Sequence, residues 1–342
     1  MSQRNLSVKN KIHNSINKIL DKKNLKKLYL KFTKKFKIKS SFAVAVSGGP
    51  DSLALAFLSK VYAEKNRLTT KYFIVNHKLR QNSTKEALVT KRLLRKLKIN
   101  AKILTWKGKK PKSNIQALAR NKRYELLINE CKKLKVNHLL LGHHADDKLE
   151  NFLIRLTRGS GLRGLVSFSE TSNFNGICLE RPLLDFNKKE LIYLTSNIFK
   201  NFINDPSNEN SDFKRVRLRK MIETLGDEGF SLIKLNKTIE NLKFSDNSIN
   251  FDVQENLKKN SFFSKKKQNF LLNQFFFKQP KEIVFRSLSQ CIKEVGNKHY
   301  YSRGDKVLRL INTINYKNDF KTTLGGCMIK KINNTVIISK EI

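Results

Sequence analysis

No apolar run in this chain of 342 residues approaches the ~18 that a membrane-spanning helix requires. The opening MSQRNLSVKNK lacks the apolar core of a secretory signal. Both absences predict a soluble, cytoplasmic protein with no membrane partner. Cysteine is scarce, and Cys131, Cys178, Cys291 and Cys327 lie far apart, with no CxxC pair and no Cys/His cluster in sequence. That spacing argues against a zinc ribbon, an iron–sulfur site and a disulfide framework, and it suits a reducing compartment. Acidic residues are also few: 28 Asp and Glu face 70 Lys and Arg, a net charge of +42. Such an excess favours a polyanionic partner, nucleic acid or an anionic membrane surface. The Lys, Asn, Ile and Phe bias equally fits drift in an AT-rich genome, so charge supports RNA binding without proving it. Of two common phosphate-binding patterns, GxxxxGK[ST] does not occur, and GxGxxG is not the pattern of the glycine turn at 47–52.

What is present centres on residues 42–58, FAVAVSGGPDSLALAFL. An apolar, β-leaning run (42–46) turns through Ser47-Gly48-Gly49-Pro50-Asp51-Ser52 and continues into helix formers. Gly48 and Gly49 permit a close backbone approach and a positive φ. Pro50 suits a first helical turn, where its missing N–H costs little. Free N–H groups and the positive helix end then face any anion seated in the turn.

The chain up to this stretch (1–40) predicts a basic helical arm, with apolar residues at Ile12, Ile16, Ile19, Leu20, Leu28, Phe32 and Phe36 in loosely helical spacing. Beyond it, strand and helix alternate. Strands are expected at 71–75, 101–106 and 138–141, and a further one within 178–184. Ser83-Thr84-Lys85-Glu86 and Ser113-Asn114-Ile115-Gln116 have capping-box form, predicting helices to about Lys98 and Lys135. Further helices are expected over about 146–158 and 187–200, and a turn at 205–208. The order predicts an α/β fold, a doubly wound parallel sheet with helices on both faces. Ligands of such sheets sit at the carboxyl ends of the strands. The turn 47–52, His77 and the stretch His143–Asp147 all follow strands and are therefore expected to line one crevice.

Arg120 and Arg123 share a helix face three residues apart. By themselves they read as solvated arginines; beside a nucleotide crevice they become phosphate ligands. Asp146, Asp147 and Glu150 fall within a turn or two of helix. Acidic residues at a helix start are ordinary dipole partners; clustered at strand ends, they equally suit Mg²⁺ or an amine. Arg215, Arg217 and Arg219 alternate at a junction that predicts the end of the first domain. The resulting plan is an arm at 1–40, a catalytic domain at 41–219, and a mostly helical linker with a small mixed C-terminal region at 220–342. Short strands are expected at 308–311, 328–332 and 336–338. The aromatics Phe275-Phe276-Phe277 read as core.

SGGPDS (47–52) is similar to the signature of the PP-loop ATP pyrophosphatases. NHKLR (76–80), ARNKRY (119–124), GHHADDKLENFLIRLTRGSGLRGL (142–165), RPLL (181–184), DPSN (205–208) and the Arg215–Arg219 cluster resemble the tRNA(Ile)-lysidine synthetase family over about residues 40–220. TLGGC (323–327) extends the likeness weakly. Asn151 and Val216 depart from the family pattern, which usually has Thr and Asn there. The resemblance implies ATP-dependent ligation of free L-lysine to the wobble cytidine of a CAU-anticodon tRNA(Ile), with Mg²⁺ as cofactor. It implies ATP binding by Ser47, Gly48, Gly49, Pro50, Asp51, Ser52, His77, Arg120, Arg123 and His143, with Mg²⁺ held through Asp51. It implies lysine binding by Asp147 and Glu150, and catalytic roles for Asp51, Asp147, Glu150 and Arg215. A homodimer is compatible with the sequence, which does not fix oligomeric state.

Three other readings compete. A tRNA 2-thiocytidine thiolase shares the loop and the GHHxDD-type segment but depends on paired cysteines, which are missing here. A PP-loop amide synthetase acting on a small molecule fits the +42 charge poorly. A non-catalytic RNA-binding module with a vestigial pocket fits poorly with intact Ser47, Asp51, Ser52, Asp147 and Glu150.

Overall fold

The computed structural model describes residues 22–108, 115–204, 214–298 and 300–341. The chain forms two compact units, one ending at Asn236 and one beginning at Lys237.

The first unit is built on a six-stranded sheet. Its strands are β1 (Phe42–Ala45), β2 (Thr70–Asn76), β3 (Ala101–Thr105), β4 (His138–Leu140), β5 (Thr171–Phe174) and β6 (Ile177–Glu180), in the spatial order β3-β2-β1-β4-β6-β5. All neighbours are parallel except the β5–β6 hairpin. The order reverses between β1 and β4, so the loops leaving those two strands diverge to opposite faces and open a crevice. The expected doubly wound sheet is therefore present, with one addition. The hairpin turns at Asn175-Gly176, both with positive φ (52° and 83°), which is the Asn-Gly turn that matches strand twist.

Helices α1 (Lys23–Lys35), α2 (Pro50–Lys65), α3 (Ser83–Lys96), α4 (Ile115–Lys133), α5 (Ala145–Leu156), α6 (Leu162–Leu165), α7 (Lys188–Phe199) and α8 (Lys214–Asp227) complete this unit. Leu25, Leu28, Tyr29 and Phe32 of α1 are buried in the same core as Phe42, Leu53, Phe57, Leu191, Leu194 and Phe199. The basic arm is thus anchored by an apolar stripe at helical spacing, as expected for its described part. Helix α2 is buried along most of its length, from Leu53 to Ala63 except Lys60, and shares its core with α7.

The expected capping box at 83–86 is corrected: Asn82 holds the N-cap position, Ser83 opens α3, and Ser83 Oγ instead accepts from the Arg80 N–H at 3.2 Å. Residues 113–114 of the second box and the 205–208 turn lie outside the described residues.

The second unit holds α10 (Lys281–Val295) and α11 (Gly304–Tyr316) with an antiparallel sheet in the order β7-β8-β11-β10-β9. Its strands are β7 (Ser261–Ser264), β8 (Asn269–Leu272), β9 (Phe320–Leu324), β10 (Cys327–Ile332) and β11 (Thr335–Lys340), and most of the long helix α9 (Leu232–Asn260) belongs to it. The expected strand at 308–311 is helix: Val307, Leu310, Ile311 and Ile314 are buried on one face of α11 at spacings of three and four. The β7–β8 hairpin likewise interrupts a stretch read as helical. Of the three adjacent phenylalanines, Phe276 is buried and Phe275 exposed. No helix of the described residues is long and apolar enough to cross a membrane.

Candidate active site

The turn after β1 is fixed from three sides. Gly48 has φ +92°, and a Cβ there would collide with Thr90 Oγ1 and Ile203 Cδ1. The Ile203 N–H donates to Gly48 O at 2.9 Å. Only glycine fits both the backbone and the space. Gly49 is the N-cap of α2 and Pro50 its first residue, as the sequence predicts. The Ser52 hydroxyl staples the turn: it accepts from the N–H groups of Ser47 (3.0 Å) and Gly48 (3.1 Å) and lies 3.2 Å from Ser47 Oγ. Those two N–H groups therefore point inward, which departs from the expectation that the turn's amides are free. The first-turn amides of α2, which have no carbonyl one turn back, remain for an anion.

The loop after β4 lies directly on this turn. A Cβ on Gly142 would sit 3.2 Å from Ser52 Cα and N. Helix α5 then starts with His144 as N-cap and a reciprocal capping box. His144 Nδ1 accepts from the Asp146 N–H at 3.3 Å, and Asp147 Oδ2 accepts from the His144 N–H at 3.0 Å. An accepting Nδ1 leaves the proton of a neutral imidazole on Nε2, which lies 3.8 Å from Asp51 Oδ2 and 3.6 Å from Asp147 Oδ2. One buried histidine thus lies between the two sequence-distant carboxylates. Sequence reasoning placed both histidines in the crevice but named only His143 as a nucleotide ligand.

His143 faces the other way. Burial pushes its pKa down to about 3, against the pull of Asp147 and with Arg181, Arg120 and Arg123 pushing further down. The ring meets Phe168 edge-on at 5.5 Å. Burial thus favours the neutral imidazole. Arg181 lies over the same Phe168 at 5.3 Å and donates to Ser169 O and Ser172 Oγ, both at 3.0 Å. Arg120 and Arg123 flank the Tyr124 ring at 5.4 and 5.6 Å, with exposed side chains directed to the same region. His77 ends its loop at β2, where Nδ1 accepts from the Leu79 N–H at 3.2 Å.

Glu150 is 2 % exposed, and Arg219 Nε of α8 donates to its Oε1 at 2.5 Å. Burial works against the Arg219 charge, but the bond to Glu150 and attraction to Glu150, Asp147 and Asp146 outweigh it and raise its pKa. Thus Asp51, His144, Asp146, Asp147, Glu150 and Arg219 form one connected group. The side chain of Arg215 lies outside the described residues. Asn151, the departure from the family pattern, accepts from Arg155 Nε one turn on at 2.8 Å. Val216, the other departure, is buried.

One group beyond sequence reach also appears. His138 Nδ1 (3.1 Å) and Cys178 Sγ (3.2 Å) both contact Glu180 Oε1, on paired strands β4 and β6. These three donors are the one metal-competent cluster among the described residues. The Cys178 thiol is pushed up to about 11 by burial and then by Glu180. All four cysteines are free.

A glycine turn between β1 and a proline-started helix, at the switch point of a doubly wound sheet, defines a PP-loop nucleotide site. Residues 18–225 match the PP-loop domain family. The chain is 33 % identical over 308 residues to the tRNA(Ile)-lysidine synthase of Wolbachia sp. subsp. Brugia malayi, covering 87 % of this chain and 70 % of that protein. The enzyme of the same name from Rickettsia akari is 32 % identical over 312 residues, covering 88 % and 70 %. Among solved structures, the U34-tRNA thiolase NcsA from Methanococcus maripaludis with its [4Fe-4S] cluster superposes with a TM-score of 0.57 at 17 % identity, covering 64 % of this chain and 78 % of that one. That likeness shows the shared fold. The chain belongs to the tRNA(Ile)-lysidine synthase family of PP-loop proteins.

Proposed function

We propose that this protein ligates free L-lysine to C2 of the wobble cytidine in CAU-anticodon tRNA(Ile), forming lysidine at the expense of ATP. The observation that carries the reading is the acidic group Asp146, Asp147 and Glu150 placed beside Asp51 of the ATP turn through His144. The relatives of the same name over most of the chain support it.

Oxygen at C2 of cytosine is a poor leaving group. It attacks the α-phosphorus of ATP, the bond to the bridging oxygen breaks, and its electron pair leaves with pyrophosphate. The lysine Nε then attacks C2, AMP departs with the former carbonyl oxygen, and the amine loses its proton. Free lysine has a pKa of ~10.4, so its reactive neutral form is scarce near pH 7. Asp147 and Glu150 bind the ammonium and receive the proton as the C–N bond forms. Glu150 is held in place for this by Arg219.

The turn 47–52 cradles the phosphates at the start of α2. Arg120 and Arg123 add positive charge along the triphosphate, and His143 and His77 line the same pocket. Arg215 contacts the α-phosphate or the lysine carboxylate. Mg²⁺, when bound with ATP, offsets phosphate charge, and Asp51 is the residue that holds it. The fit is supported by the cation already there: Lys188 Nζ lies 2.7 Å from both Asp51 oxygens.

Residues 41–219 carry the chemistry in this reading, while residues 220–342 help grip the tRNA, in the cytoplasm. ATP–pyrophosphate exchange tests the first half-reaction. It should require CAU-anticodon tRNA(Ile) and proceed without lysine; exchange indifferent to the RNA would point to another PP-loop activity.

A further inference from the structure

Lys188 is the first residue of α7, just after the Asn187 N-cap. A cation at a helix N-terminus opposes the helix dipole, so its presence there calls for a compensating partner. The nearby Glu190 is already engaged, accepting from the Asn187 N–H at 2.9 Å and from Lys31 Nζ at 2.7 Å. Lys188 instead reaches across 137 residues of sequence to Asp51, with Nζ 2.7 Å from both carboxylate oxygens. One cation held symmetrically by both oxygens of the loop carboxylate occupies a position suited to a divalent ion.

The placement is rigid at its base and partly exposed at its tip. The Thr195 hydroxyl of α7 donates to the carbonyl of Pro50, the first residue of α2, at 2.8 Å in a buried bond. Leu191, Leu194 and Phe199 of α7 share the core with Leu53 and Phe57 of α2. Helix α7 is thus bolted to the helix whose N-terminus receives the phosphates. The Lys188 side chain itself is 39 % exposed, and its four-carbon stem lets the ammonium swing several ångströms without moving either helix.

We propose that Lys188 is a pyrophosphate-binding residue. It neutralises Asp51 while the site is empty. It transfers its ammonium to the β- and γ-phosphates when nucleotide enters, which frees Asp51 for the metal. When the α–β bond breaks, the bridging oxygen takes the electron pair, and Lys188 is the side chain placed to meet that growing charge. The inference rests on the phosphate-binding reading of the 47–52 turn and not on the identity of the acceptor RNA.

The test is calorimetric titration of the full chain with inorganic pyrophosphate and Mg²⁺, for the unaltered protein and for K188M and K188R. K188M should weaken pyrophosphate binding about tenfold or more, the scale of one lost charge-assisted bond. K188R should keep affinity within about threefold, since it retains the charge. In the unaltered protein, pyrophosphate should shield Lys188 from acetylation by an amine-reactive ester, read by peptide mass; this arm needs no variant to fold. Equal pyrophosphate affinity in K188M, or acetylation of Lys188 undiminished by pyrophosphate, overturns the proposal. Should the protein bind pyrophosphate through Lys188 yet form no lysidine, the proposed function fails and this assignment stands.

Discussion

Arg219 Nε and Glu150 Oε1 meet at 2.5 Å, joining two helices whose residues stand 69 positions apart. The bond makes Arg219, the last arginine of the 215–219 cluster, a support for the acidic end of the site. Removing the arginine takes a charge-assisted partner from a carboxylate that is 2 % exposed. Breaking a fully buried pair costs ~3–5 kcal/mol. Because Arg219 is 43 % exposed, water takes over part of its role, and R219A should cost about 1–3 kcal/mol. It should also raise the KM for lysine more than that for ATP. Urea unfolding and steady-state kinetics check both; an unchanged lysine KM would detach Glu150 from amine binding.

Gly48 makes a second prediction. At φ +92° with Thr90 and Ile203 against it, G48A should destabilise the first unit by about 1–2 kcal/mol from backbone strain alone, with steric cost added. ATP affinity should fall with it, since the turn must open to clear the new methyl. Denaturation and nucleotide titration of the same variant measure the pair.

His143 sets a pH dependence. Its folded pKa of about 3 lies below the ordinary 6.5 because the ring is buried among arginines. Between those two values the unfolded chain binds the extra proton, so stability falls as pH drops below about 6.5, by up to ~1.4 kcal/mol per pH unit from this group. Above pH 6.5 the group contributes no slope. H143Q should flatten that acid limb, and an NMR titration should show no protonation of His143 between pH 5 and 8. A midpoint near 6.5 would contradict the burial argument.

The +42 charge makes a fourth. If the field serves RNA, log affinity for tRNA should fall linearly and steeply with log salt. A flat response, measured by filter binding across salt concentrations, would mark the lysines as compositional.

Much of this was legible in sequence where signals were local. The strand–turn–helix at 42–58 and the apolar runs of β2 and β4 carry their own punctuation, so the crevice could be placed in advance. The β5–β6 hairpin carried a signal too, Asn175-Gly176 between alternating residues, and it was overlooked. In α11, Val307, Leu310, Ile311 and Ile314 have helical spacing, and the short apolar run 308–311 obscured it. Lys188, Arg219 and the His138–Cys178–Glu180 group were not legible in the same way. Their partners lie 137, 69 and about 40 residues off, and only helix packing and strand pairing in the folded chain bring them together.

The central claim is tested most directly by incubating the protein with Mg²⁺, ATP, labelled L-lysine and CAU-anticodon tRNA(Ile). The account predicts label in the RNA, at the wobble cytidine, with one AMP and one pyrophosphate released per lysine joined, and loss of labelling in D147N and E150Q. RNA that stays unlabelled while ATP is consumed, or labelling that survives both substitutions, would contradict it.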